Sequence, residues 1–127
     1  MFSHITIGSN DIEASKKFYN ATLGALSVAP SDIDAKGRLR YVTENGRLIV
    51  TSPVNGQPAT AANGGTIGFV ASSEQAVDAW HAAGLANGGV TCEDPPGIRH
   101  LPTGDLYLAY LRDPTGNKLC ALYSVKA

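Results

Sequence analysis

Four side chains of this sequence could take part in acid–base, nucleophilic or anion-binding chemistry. His4 opens the first apolar segment, Cys120 lies in the last one, and Arg99 and His100 stand together in a Pro- and Gly-rich stretch. An imidazole transfers protons near neutral pH, a thiolate is a nucleophile, and an Arg-His pair can bind an anion or carry a proton. Structural roles remain as alternatives: a strand histidine, a small buried thiol and two surface loop residues.

The first half of the chain predicts a strand, a helix and further strands. Residues 4–8 alternate in a β pattern, and an apolar stripe at helical spacing follows. Asn10 is the expected helix cap, with Glu13 reaching back to it, and Gly24 is the expected end. Three strands separated by turns should follow, at 25–29, 38–43 and 47–51.

The same order of elements returns in the second half. A strand at 66–70 is followed by a helix that Ser72 should cap. The two halves match at a constant spacing of 62 residues, which pairs His4 with Thr66, Asn10 with Ser72, Glu13 with Gln75 and Phe18 with Trp80. After the helix, Gly46 matches Gly116 at a spacing of 70. Strands are expected at 90–93, 106–112 and 118–123, with a loop at 94–104.

This duplication predicts an α+β fold built from two βαβββ modules. Neither half could bury both its helix and its sheet alone, so the halves should pair into an open, curved, mixed and largely antiparallel sheet around a cavity. A single domain is expected, with module 1 at about 1–52, a connector at about 53–65 and module 2 at about 66–127.

Composition narrows the partners and the location. Ten Lys and Arg against eleven Asp and Glu give a formal net charge of −1, without a basic run, which argues against nucleic acid. No signal-peptide pattern or membrane-spanning stretch is present, so a cytoplasmic protein with no membrane partner is expected. Cys92 and Cys120 are expected as reduced thiols, although a disulfide between them stays open.

Four phrases, in order along the duplicated pattern, resemble the vicinal oxygen chelate superfamily, which includes glyoxalase I, bleomycin-resistance proteins and ring-cleaving dioxygenases. They are Phe2–Gly8, Phe18–Tyr19, Val77–His81 and Asp113–Lys118. The last phrase is similar to the Asp-Pro-x-Gly-Asn turn that leads into the closing strand of that superfamily. The resemblance covers nearly the whole chain and implies the tandem βαβββ fold and a homodimer, often with pockets near its interface.

The resemblance also implies a divalent metal held by His and Glu residues from four strands, two in each half. The matching positions here are His4, Val50, Thr66 and Cys120. Val50 cannot ligate, Thr66 is a poor neutral donor, and Cys120 would bring a soft thiolate. An incomplete ligand set is therefore expected, with no cofactor assigned and His4 as the ligand if a metal binds.

The alternation of side chains along the predicted strands indicates a cavity lined mostly by small or apolar residues, which suits a small organic ligand. The catalytic candidates are His4, Cys120 and His100. The ligand-binding candidates are Thr6, Tyr41, Val50, Thr66, Arg99 and Tyr110, with sheet packing as the alternative role of the tyrosines.

The sequence is compatible with two functions. One is a glyoxalase-like protein that acts on or binds a small oxygen-rich molecule without the usual metal site. The other is a non-catalytic protein that sequesters a small molecule, as bleomycin-resistance members do. Lyase-like or dioxygenase-like activity is not decided, because a fold does not fix a reaction.

Overall fold

The computed structural model describes residues 1–125. The elements of the first half are β1 (His4–Gly8), α1 (Ile12–Ala25), β2 (Leu39–Thr43) and β3 (Gly46–Thr51). Those of the second half are β4 (Ile67–Val70), α2 (Glu74–Ala86), β5 (Val90–Thr91), β6 (Gly97–Leu101), β7 (Gly104–Arg112) and β8 (Lys118–Ser124).

Hydrogen bonding arranges the strands in two open sheets. In the first sheet β3 lies between β1, which runs parallel to it, and β2, which runs antiparallel. In the second sheet the order is β4, β8, β7, β5, and β6 pairs with the same edge of β7 as β5 does. The predicted α+β class with an open, mixed arrangement of strands is confirmed, although each half of the chain forms its own sheet instead of joining a single one. Within residues 1–125, β1 and β4 each keep one edge without a strand partner.

The two helices pack against each other and cover one face of both sheets. Phe18 of α1 and Trp80 of α2 are fully buried between these layers. Gly84 lets α2 approach β7 closely, since a Cβ atom there would lie 2.3 Å from Cδ1 of Leu111. Buried side chains from both halves of the chain therefore share one core. Neither helix within residues 1–125 is long and apolar enough to span a membrane.

Both helices begin one residue later than the sequence predicted. The caps are Asp11 and Ser73, rather than Asn10 and Ser72, and each accepts a hydrogen bond from the backbone N–H three residues on, at 3.1 and 3.0 Å. Asn10 instead fastens the connector, because its side-chain amide donates to the carbonyl of Ala59 at 3.0 Å and accepts from the N–H of Ala59 at 2.7 Å.

The strand predicted at 25–29 is not formed, so only two strands follow α1. The helix continues past Gly24 and ends in a Schellman motif, in which the N–H of Val28 donates to the carbonyl of Leu23 at 3.0 Å. Ser27 supplies the left-handed conformation that the motif requires, with a φ of 66°. The apolar residues that resembled a strand instead close the end of the helix against the core.

The loop predicted at 94–104 contains a strand. Residues 97–101 form β6, which pairs antiparallel with β7 across a tight turn that ends at Gly104. The strand predicted at 90–93 is reduced to the two residues of β5. Pro95 and Pro96 separate β5 from β6, because proline cannot donate to a strand ladder.

β3 lies one residue out of the predicted register. Thr6 and Gly68 are equivalent positions of the two halves, 62 residues apart. Thr6 is paired with Ile49, and Gly68 with Cys120, so the residue equivalent to Cys120 is Ile49, at a spacing of 71. Val50 is fully buried in the core with the helices. The prediction that Val50 faces the cavity is therefore wrong, because a one-residue shift turns a strand's side chains to the opposite face.

Candidate functional site

The face of the first sheet turned away from the helices is polar and basic. We call it the N-terminal open face; its residues are His4, Thr6, Arg40, Val42, Arg47 and Ile49. Pairing of β1 with β3 sets His4 beside Arg47, and both side chains are exposed. The Nδ1 atom of His4 lies 2.8 Å from the hydroxyl of Ser3. This face thus places an imidazole next to a guanidinium.

The corresponding face of the second sheet is mostly apolar. We call it the C-terminal open face; its residues are Gly68, Val70, Leu108, Tyr110, Cys120 and Leu122. Cys120 lies between Gly68 and Tyr110 on neighbouring strands and is 5% exposed. Burial raises the pKa of the Cys120 thiol, and the nearby charge of Glu93 raises it further. The thiol is therefore protonated at neutral pH and is a weak nucleophile.

The charged side chains near Cys120 already form ion pairs or hydrogen bonds within the protein. Lys118 forms an ion pair with Glu93, and its Nζ atom lies 5.0 Å from the ring centroid of Tyr110. Arg99 donates to two backbone carbonyls, those of residues 94 and 95, at 3.1 Å each. Burial raises the pKa of Tyr110, so its hydroxyl also stays protonated.

His100 lies apart from this group. On β6, successive side chains point to opposite faces, so His100 and Arg99 diverge. The imidazole Nδ1 of His100 lies 2.9 Å from the carboxylate of Asp105, and its side chain is 79% exposed. The structure therefore brings Arg99 and Tyr110 near Cys120 but leaves His100 outside.

A cavity of about 230 Å³ opens between β1 and β4. His4 and Arg47 of the N-terminal open face line it, together with Gly68 of the C-terminal open face. Tyr41 contributes a buried wall, and its hydroxyl donates to Oδ1 of Asn20 at 2.7 Å, while burial raises the pKa of that hydroxyl. The remaining lining is largely apolar and includes Ile5, Leu23, Val28, Leu48, Ile67 and Phe69.

Two threonines predicted to bind ligand are not part of this lining. Thr6 is exposed and borders a second, more open hollow beside the connector. Thr66 is exposed and directly precedes β4. Of the predicted site residues, His4 and Tyr41 thus reach the cavity itself.

Comparison with known proteins connects this geometry to a family. The family model described as the Glyoxalase/Bleomycin resistance protein/Dioxygenase superfamily matches residues 1–121. The chain belongs to this superfamily. It is 56% identical to a glyoxalase/bleomycin resistance protein from Albidiferax ferrireducens T118, with a TM-score of 0.91 over 95% of this chain and 97% of that one.

More distant solved structures share the fold. A glyoxalase/bleomycin resistance protein/dioxygenase family enzyme from Burkholderia phytofirmans PsJN is 17% identical, with a TM-score of 0.72 over 97% of this chain and 98% of that chain. The lactoylglutathione lyase from Agrobacterium tumefaciens is 20% identical, with a TM-score of 0.65 over 96% of this chain and 92% of that chain. The search of curated proteins found no match.

The metal that the superfamily implies does not fit the donor set of this chain. With the register corrected, the four matching positions hold His4, Ile49, Thr66 and Cys120. Ile49 has no donor atom, Thr66 offers only a neutral hydroxyl, and Cys120 is a soft donor in a site otherwise built from His and carboxylate. Among residues 1–125, no three His, Cys, Asp or Glu side chains cluster in a way that could hold a metal ion.

Sequence reasoning missed Arg40 and Arg47, the basic residues of the N-terminal open face. The signal that could have found them is the alternation of β2 and β3, once β3 is shifted by one residue. Leu48 and Val50 then face the core, which matches their burial, and Arg47 and Ile49 face outward.

Proposed function

We propose that this chain binds a small organic molecule in the cavity between β1 and β4, and that it does so without the His/Glu metal site of its superfamily. The observation that carries the proposal is a largely apolar cavity in a chain where Ile49 occupies one of the four positions that hold metal ligands in the superfamily. Such a site resembles a binding pocket more than a Lewis-acid centre.

The cavity's dimensions favour a compact ligand. Its 230 Å³ lies just below the 300–1,000 Å³ usual for ligand pockets. Burial of apolar surface would supply most of the affinity, at roughly 25 cal/mol per Å². A ligand of one or two rings, partly exposed at the mouth, suits this space.

Binding without turnover is favoured over the enzymatic alternative because the candidate catalytic groups are dispersed. His4 lines the cavity, whereas Cys120 does not. His100 is outside both open faces. General acid–base catalysis needs its groups within hydrogen-bond reach of one reacting centre.

The experiment compares thermal stabilisation by a panel of one- and two-ring compounds, with and without EDTA. We expect hits that survive EDTA and that are lost in Gly68→Phe, whose ring would occupy the cavity. A Cβ at Gly68 meets no atom within 4 Å, so the strand tolerates a side chain there. Leu85→Phe is the matched control, since Leu85 is exposed on α2 outside the cavity. Stabilisation that disappears with EDTA, or that Gly68→Phe leaves intact, would overturn the proposal.

A further inference from the structure

We propose that the ligand is an organic anion whose apolar body enters the cavity and whose oxyanion group is bound by Arg47, with Arg40 adding a second positive charge. This inference rests on the proposed binding function and adds the chemical class of the ligand to it.

The arginines of this chain divide into two groups. Arg38 pairs with a carboxylate at 3.0 Å, while Arg99 and Arg112 donate to backbone carbonyls at 3.1 and 2.9 Å. Arg40 and Arg47 form no ion pair or side-chain hydrogen bond within residues 1–125. Both guanidinium groups, each with five N–H donors, are exposed to solvent and can therefore bind a ligand.

These two arginines are neighbours on the same face. Arg47 is directly opposite Val42, and Arg40 lies two residues before Val42 on the same strand. Diagonal neighbours of this kind lie about 7–8 Å apart, within reach of long side chains. The N-terminal open face has no Asp or Glu to offset the two like charges. An oxyanion between them would relieve the repulsion and accept charge-assisted hydrogen bonds.

The lining of the cavity determines the chemistry of the rest of the ligand. Arg47 and His4 lie on its lining, and the remaining contacts are mostly the apolar side chains of the core and of β4. The acidic residue next to this lining in the chain is Glu44, in the turn between β2 and β3, and it forms no ion pair within residues 1–125. A molecule with an aromatic or branched aliphatic body and one carboxylate, sulfonate or phosphate group fits both parts of the site.

The test uses two fluorescent two-ring probes that differ in charge, naphthalene-1-sulfonate and the neutral naphthalene-1-sulfonamide. We expect the wild-type protein to bind the sulfonate about tenfold more tightly, as for one charge-assisted contact. Arg47→Gln should reduce this preference to about twofold or less while leaving the affinity for the neutral probe nearly unchanged. Added salt should also reduce the preference in the wild type.

Lys17→Gln is the matched control, because it removes one exposed positive charge on α1 and should keep the full preference. Equal affinity of the wild type for both probes would overturn the anion inference but leave the binding function standing. Uptake of neither probe would contradict both. Loss of self-association in Arg47→Gln, measured by sedimentation, would assign Arg47 to a protein interface and would also overturn the inference.

Discussion

Asp113 is the residue on which the last turn of the chain depends. Its Oδ1 atom accepts the backbone N–H groups of residues 115, 116 and 117, each at 2.9 Å. Its Oδ2 atom accepts the hydroxyl of Tyr19 at 2.5 Å and the side-chain amide of Asn117 at 2.9 Å. Asn117 also donates to the carbonyl of Gly8 at 3.0 Å. The Asp-Pro-x-Gly-Asn pattern therefore joins β8 to both β1 and α1.

Replacing Asp113 should strongly destabilise the protein. We expect Asp113→Ala to lower the free energy of unfolding by about 3 kcal/mol, because several buried donors lose their acceptor. Tyr19→Phe, which removes only one of these bonds, should cost about 1 kcal/mol. Urea unfolding measures both values. An Asp113→Ala variant as stable as Tyr19→Phe would show that the turn does not depend on the carboxylate.

The Cys120 thiol should react slowly. Its burial and raised pKa leave little thiolate at neutral pH, so we expect labelling by a disulfide reagent at a small fraction of the rate of the unfolded chain. Because the pKa is raised, the labelling rate should keep rising at pH values above the ordinary thiol pKa. A Cys92→Ser variant isolates this thiol. Rapid labelling of that variant at neutral pH would instead support a nucleophilic Cys120.

Among the elements, the sequence predicted what depends on local pattern. The strand at 4–8, both helices and the last two strands follow from alternation and helical spacing. The predicted helix caps were each one residue too early. Asn10 and Asp11 are adjacent, as are Ser72 and Ser73, and every one of these residue types can cap a helix. β6 was missed because its proline neighbours indicate a loop, and its pairing with β7 is set by tertiary contact.

The close packing of α2 on β7 can be tested at Gly84. Gly84→Ala should lower the free energy of unfolding by about 1–3 kcal/mol, since the added methyl group overlaps Leu111. The better helix propensity of alanine, about 1 kcal/mol, should not offset that overlap. Gly24→Ala in α1 is the control, because nothing lies within 4 Å of its added Cβ, and it should be neutral or stabilising. Equal effects of the two substitutions on the denaturation midpoint would contradict the close approach of α2.

We propose a homodimer that forms through the unpaired edges of β1 and β4. Val70 at the β4 edge is 78% exposed, and Phe2 before β1 is 70% exposed. Both residues also line the cavity, so the proposed interface adjoins the ligand site. We expect sedimentation as a dimer, and a shift toward the monomer in Val70→Lys, because a charge would replace apolar surface at the interface. A wild-type monomer at high concentration would contradict this expectation.

The candidate site was only partly predictable because it depends on contacts between distant segments. His4 and Tyr41 were found from the pattern of their own strands, and both reach the cavity. Arg47 was missed because the spacing of 70 between the turn glycines Gly46 and Gly116 placed β3 one residue out of register. In that incorrect register, the side chain of Arg47 would point to the opposite face of the sheet. The separation of His100 from Cys120 depends on β6, which the sequence pattern did not indicate.

Metal content distinguishes a metal-free binding cavity from the metal site that the superfamily implies. Untagged protein, purified without chelators and analysed by mass spectrometry for transition metals, should contain far less than one ion per chain, and His4→Ala should not change that value. One firmly bound ion per chain in the wild type, lost in His4→Ala, would show that His4 is a metal ligand and would overturn the proposal of a metal-free cavity.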